Sequence, residues 1–161
     1  MSTTHHNSRR AFTLIEVIAI VIILALAVPP SLMFMDQSTS RRADAINAMR
    51  ATTLATLVME SVLADVASTN ASLGYAALAS SATYLDTPTT GLKARINTLQ
   101  STYADMGMSY TVTIGSEVNA AGLVSATLSE NVFRKITVTV TYPSASEDSA
   151  SLSLVAMVSD L

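Results

Sequence analysis

Hydrophobic and polar positions divide the chain into three regimes. From Phe12 to Val28, seventeen residues carry a single charge, Glu16. Pro29-Pro30 interrupts the run, and Ser31 to Met35 resumes it. As helix, residues 12–28 would span roughly 26 Å, and residues 12–35 are long enough for a hydrocarbon core of about 30 Å. Pro29 and Pro30 predict a kink, because each removes a backbone donor and crowds the preceding turn. Beyond them, Ile46, Met49, Leu54, Leu57, Val58, Val62 and Val66 trace an apolar stripe. That pattern predicts helix from about Ser31 to Ser68, with Arg41, Arg42, Asp44, Arg50, Glu60 and Asp65 mostly off the stripe. Asn70 and Gly74 mark its end region, and the stripe is expected to face the chain's own C-terminal part.

Residues 69–91 are rich in Ala, Ser, Thr and Gly, and Thr87-Pro88-Thr89-Thr90-Gly91 reads as a turn. Leu92, Ile96, Leu99 and Tyr103 fit a short amphipathic helix to about Asp105. The period then changes to two. Tyr110, Val112 and Ile114 alternate with threonines, as do Ile136, Val138, Val140 and Tyr142. Leu123–Leu128 is a weaker strand candidate, and Leu152, Leu154, Ala156 and Val158 make a last one. Four sequential strands with short links predict an antiparallel sheet with one face on the N-terminal helix. The expected class is α+β: a long bent N-terminal helix, transmembrane then amphipathic, packed on a C-terminal sheet. Its segments are a basic leader (1–11), an apolar helix (12–35), an amphipathic continuation (36–69), a connecting region with a short helix (70–107) and the sheet (108–161).

Composition narrows the function. The net charge is −3. Without Arg9 and Arg10, seven basic and twelve acidic residues remain, a net charge of −5. An acidic remainder argues against nucleic acid as a partner, since phosphate contacts need clustered Lys and Arg. The one further basic pair, Arg41-Arg42, is followed closely by Asp44 and reads as a solvated face. There is no cysteine, which excludes disulfides, thiolate metal sites and Cys nucleophiles. Both histidines, His5 and His6, lie in the leader, so none remains for a triad or zinc site. Glu147-Asp148 in the last turn are too few for a calcium loop. No phosphate-binding, dinucleotide or nucleophile-elbow motif occurs. An enzyme, a cofactor and a metal are therefore not expected.

The N-terminal segment admits three readings. Arg9-Arg10 before an apolar run, with Ala25-Leu26-Ala27 after it, fits a secretory signal cut after Ala27. Ser8-Arg9-Arg10-Ala11-Phe12 also fits a twin-arginine signal. Either would release a soluble exported binding protein; an uncut segment would leave a single-span anchor. In each case the basic residues put the N-terminus in the cytoplasm and the bulk of the chain outside. None of these explains Glu16. A charged residue in an apolar helix costs on the order of 2.5–3.5 kcal/mol at mid-membrane, less near the interface, and calls for a partner. A free amino terminus made by cutting just before Phe12 would supply one.

Ala11-Phe12-Thr13-Leu14-Ile15-Glu16-Val17, with basic residues before it and an apolar helix after it, closely resembles the prepilin cleavage and methylation motif. The family comprises type IV pilins and the pseudopilins of type II secretion. The resemblance covers residues 8–30. It implies that a prepilin peptidase cuts between Ala11 and Phe12 and N-methylates Phe12. Glu16, the fifth mature residue, would then pair with the terminus of a neighbouring subunit. Ala11 stands where the family usually has Gly, and is also small. The implied partners are the peptidase, other pilin or pseudopilin subunits, an inner-membrane assembly platform and membrane lipid. The implied location is the bacterial inner membrane, then a periplasmic or extracellular filament. The lack of a C-terminal disulfide and the Thr-rich sheet lean toward a pseudopilin or minor pilin.

Overall fold

The computed structural model describes residues 13–70, 72–145 and 147–160. Its contacts divide the chain into two units, residues 1–40 and 41–161. The first helix, α1 (Leu14–Val66), contributes to both.

In the first unit, residues 13–39 are all exposed, Leu14 by 79%. This apolar stretch is long enough to cross a membrane by length and composition, a property that a signal sequence near the N-terminus shares. Pro29 and Pro30 lie inside the helix without ending it. Ser31 Oγ donates to Ala27 O (2.8 Å) and Thr39 Oγ1 to Met35 O (3.0 Å). Such back-bonds let hydroxyls sit in a helix with their polar atoms satisfied.

In the second unit, α1 packs on a three-stranded antiparallel sheet of order β1-β2-β3, made of β1 (Ser109–Val118), β2 (Phe133–Tyr142) and β3 (Ala150–Ser159). Between helix and sheet elements come α2 (Gly74–Ala77), α3 (Ser81–Asp86) and α4 (Leu92–Ala104). Alternation holds along the strands. Val112 pairs with Val138, and Val138 with Leu154; Thr111 pairs with Thr139, and Thr139 with Ser153. Val112, Ile136, Val138, Val140 and Val158 face the core, while Thr139 Oγ1 and Ser153 Oγ hydrogen-bond on the other face at 2.9 Å. Gly115 and Ser116 stand where β2 offers only Lys135, a bulge in β1.

Two expectations need correction. The stripe on α1 is not the one read from large residues alone. Ile46 and Met49 are exposed, and the buried face is Ala51, Leu54, Ala55, Val58, Met59, Val62 and Asp65. The two alanines are fully buried in the core, where a larger side chain would overpack it. Nor is Leu123–Leu128 a strand: residues 119–132 form turns and one 3-10 turn, Leu128–Glu130. Local side-chain bonds replace ladder bonds there. Asn119 Oδ1 accepts from the Ala121 and Leu123 N–H groups at 3.0 and 3.1 Å. Asn131 Oδ1 accepts from Ser125 N–H at 2.8 Å, and its Nδ2 donates to Ser125 O at 2.9 Å. Gly122 supplies the positive φ (+77°) that the turn requires.

Candidate functional site

The candidate site is the start of α1. Ala11 and Phe12 lie outside the described residues, so the structure speaks to this site through Thr13 and Glu16. The Glu16 N–H donates to Thr13 O at 3.0 Å and lies 3.4 Å from Thr13 Oγ1. Thr13 therefore acts as an N-terminal cap, and Glu16 is the acidic residue of the first turn. Thr13-Leu14-Ile15-Glu16 has the spacing of a capping box, T-x-x-E, and a carboxylate is favoured at the positive end of the helix dipole. Sequence reasoning missed this cap by Thr13, although the spacing was in plain view. Capping is worth about 1 kcal/mol. That is less than the cost of a carboxylate deep in an apolar setting, but it offsets part of that cost at a helix end.

Around Glu16 the helix presents Leu14, Ile15, Val17, Ile18, Ile20 and Val21, all exposed. This apolar, unburied helix surface with one carboxylate near its end fits a membrane span or a signal sequence by length and composition.

A second polar cluster, also missed, lies in the 41–161 unit. Asp65 on α1 is 6% exposed despite its charge. Arg95 on α4 grips it with both guanidinium nitrogens, Nη1 to Oδ1 at 2.7 Å and Nη2 to Oδ2. Tyr84 Oη on α3 donates to Asp65 Oδ2 at 2.5 Å. The Asp65 bonds raise the pKa of Arg95, and burial together with the hydrogen bond to Asp65 pushes the Tyr84 phenol well up. The position of Arg95 depends on the turn before α4. Its Nε donates to Thr90 O (3.0 Å) and its backbone N–H to Gly91 O (3.1 Å). A Cβ at Gly91 would meet Thr87 N and O at 2.7 Å, so this chain crossing needs glycine. Asp65 falls in line with Leu54, Val58 and Val62 on α1, which a polarity-based reading assigns to solvent. An arginine in the first turn of α4, just past the Thr87–Gly91 turn, was the available clue. This triad joins three helices and offers no nucleophile or open acceptor.

Asp44 is half-buried and tied to the domain. Its Oδ1 accepts from Ala145 N–H at 2.6 Å, and Asn47 Nδ2 donates to Pro143 O at 2.9 Å, so α1 holds the β2–β3 turn. Arg41 and Arg42 are exposed, as are Glu147 and Asp148. Among the described residues, no group of three or more His, Asp or Glu side chains converges on a point that would suit a metal. His5 and His6 lie outside the described residues.

No protein-family model, curated protein or solved structure matches the chain.

Proposed function

We propose that this protein is a structural subunit of a type IV pilus-like filament or secretion pseudopilus. It is stored in the inner membrane as a prepilin, cut before Phe12 by a prepilin peptidase, N-methylated there, and assembled through its apolar helix. The observation that carries the reading is the run Ala11–Val17 with its glutamate, set at the head of an apolar helix. The helix is exposed over residues 13–39, as expected of a segment covered first by lipid and then by copies of itself. The helix-then-sheet order of the remaining chain also supports the reading. In the assembled core the Phe12 ammonium of a neighbour neutralises Glu16, and a subunit out of register leaves both charges unpaired.

Intact-mass and N-terminal peptide analysis of the protein from its native membrane tests this. A chain beginning at N-methylated Phe12 is the expected result. A soluble chain beginning at Val28 would make it an exported protein instead, and a complete N-terminus would leave a plain anchor.

A further inference from the structure

Six asparagines occur in the chain, and one of them, Asn70, has a Ser or Thr two residues on, in Asn70-Ala71-Ser72. An Asn-x-Ser run without Pro in the middle is the acceptor pattern for N-linked sugar, and it is used on surface loops of proteins that leave the cytoplasm. So short a pattern also arises by chance, and the surroundings of Asn70 decide whether its amide can react.

Asn70 lies in the loop between α1 and α2, and both Asn70 and Ser72 are exposed. Ala71 lies outside the described residues and enters only as a residue that is not proline. Local hydrogen bonds hold the loop. Asn70 N–H donates to Ser68 Oγ at 3.2 Å, and Leu73 N–H donates to Asn70 O at 2.9 Å. Ser72 N–H donates to Asn70 Oδ1 at 2.9 Å, an Asx-turn. That bond spends the oxygen of the amide within the turn. No hydrogen bond among the described residues engages Asn70 Nδ2 or the Ser72 hydroxyl. The other asparagines differ. Asn47 and Asn131 spend Nδ2 on Pro143 O and Ser125 O, at 2.9 Å each. Asn97 sits inside α4, and Asn119 has Ala121 at the second position after it. Asn7 lies outside the described residues and has Arg9 there.

We propose that Asn70 is a site of N-linked glycosylation, with a saccharide carried on a lipid pyrophosphate as the donor. Asn70 Nδ2 attacks the anomeric carbon of the first sugar. The nitrogen–carbon bond forms as the bond from that carbon to the pyrophosphate oxygen breaks. The lipid pyrophosphate departs, and the Nδ2 proton passes to a base of the transferase. The Ser72 hydroxyl is free to be read by the transferase as the mark of the acceptor. The inference requires residues 36–161 to reach the far side of the membrane, a step that the filament reading shares with an exported or an anchored protein. It needs nothing else from that reading.

The full-length chain is purified from its native host and cut with trypsin. The peptide from Ala51 to Lys93 holds Asn70 as its one asparagine. The expected result is that peptide heavier by a saccharide, with fragmentation placing the added mass on Asn70. Asn70→Gln and Ser72→Ala should each abolish the increment, and Ser72→Thr should keep it. An unmodified Asn70, or a sugar that persists in Asn70→Gln, overturns the proposal. The N-terminal peptide of the same digest keeps the two readings apart. A start at N-methylated Phe12 with a bare Asn70 overturns the site and leaves the filament reading standing. A sugar on Asn70 with a start at Val28 upholds the site and removes the filament.

Discussion

At the scale of single residues, the Asp65–Arg95–Tyr84 cluster shows how a charge is kept inside a small domain. Asp65 is held by a bidentate guanidinium and a phenol, so its burial is matched by hydrogen bonds to both oxygens. Tyr84→Phe removes one of these and leaves the ion pair in place. The expected cost is about 1–2 kcal/mol near pH 7, since a hydrogen bond to a charged group is lost while Arg95 still satisfies the carboxylate. The same variant should change the alkaline limb. The folded-state pKa of Tyr84 is raised above the unfolded value of 10.0. Below that value both states hold the proton. Above it the unfolded chain releases the proton while the folded chain retains it, so stability falls as pH rises. Thermal unfolding of the full chain in detergent should therefore lose stability between about pH 10 and 11.5 less steeply in Tyr84→Phe than in the parent. Tyr75 and Tyr110, raised mainly by burial, keep part of the slope in both.

At the scale of elements, α1 explains which parts of the fold were legible. The change of period from helix to strand located α1, α4 and the three strands, because burial on one face imposes that period directly. The reading failed where small or polar residues occupy the buried face. Ala51, Ala55 and Asp65 replace Ile46 and Met49 as the core positions, since a buried face rewards fit and, at Asp65, a charge satisfied by Tyr84 and Arg95, as well as size. It failed again at Leu123–Leu128, where Asn119 and Asn131 capture the backbone locally. The head of α1 was half legible: the motif was read, whereas the capping geometry of Thr13 was not. The corrected face makes a sharp comparison between two alanines of the same helix. Ala55 is buried and Ala64 exposed. Ala55→Leu should destabilise by about 1–3 kcal/mol through overpacking. Ala64→Leu should stay within about 0.5 kcal/mol, as surface changes usually do. Melting temperatures of the two variants, measured side by side, check the assignment of the face.

At the scale of the whole molecule, the question is which of two roles Glu16 serves, and they make different demands. As the fourth residue of a T-x-x-E capping box it needs an oxygen of the right reach, which glutamine also offers. As the counter-charge to a neighbour's amino terminus it needs a negative charge. Glu16→Gln separates the two. The helix start should survive the change, so membrane insertion and steady-state amount should match the parent. On the proposed filament function, assembly should not survive it, because each incorporated subunit would leave a neighbour's ammonium unpaired in an apolar core. Removing one partner of a buried pair is strongly destabilising. The neutral glutamine softens that loss, so sheared filament recovered per unit of membrane protein should fall by about ten- to a hundredfold. Cleavage before Phe12 should proceed as in the parent, which separates an assembly defect from a processing defect. Filament yield equal to that of the parent would assign Glu16 to capping alone and remove the pairing step from the mechanism. The comparison is informative because Leu14 and Ile15 beside Glu16 are exposed in the single subunit. In the proposed filament the Glu16 charge finds its partner only when other chains cover that surface, so losing it should be felt in the assembled state.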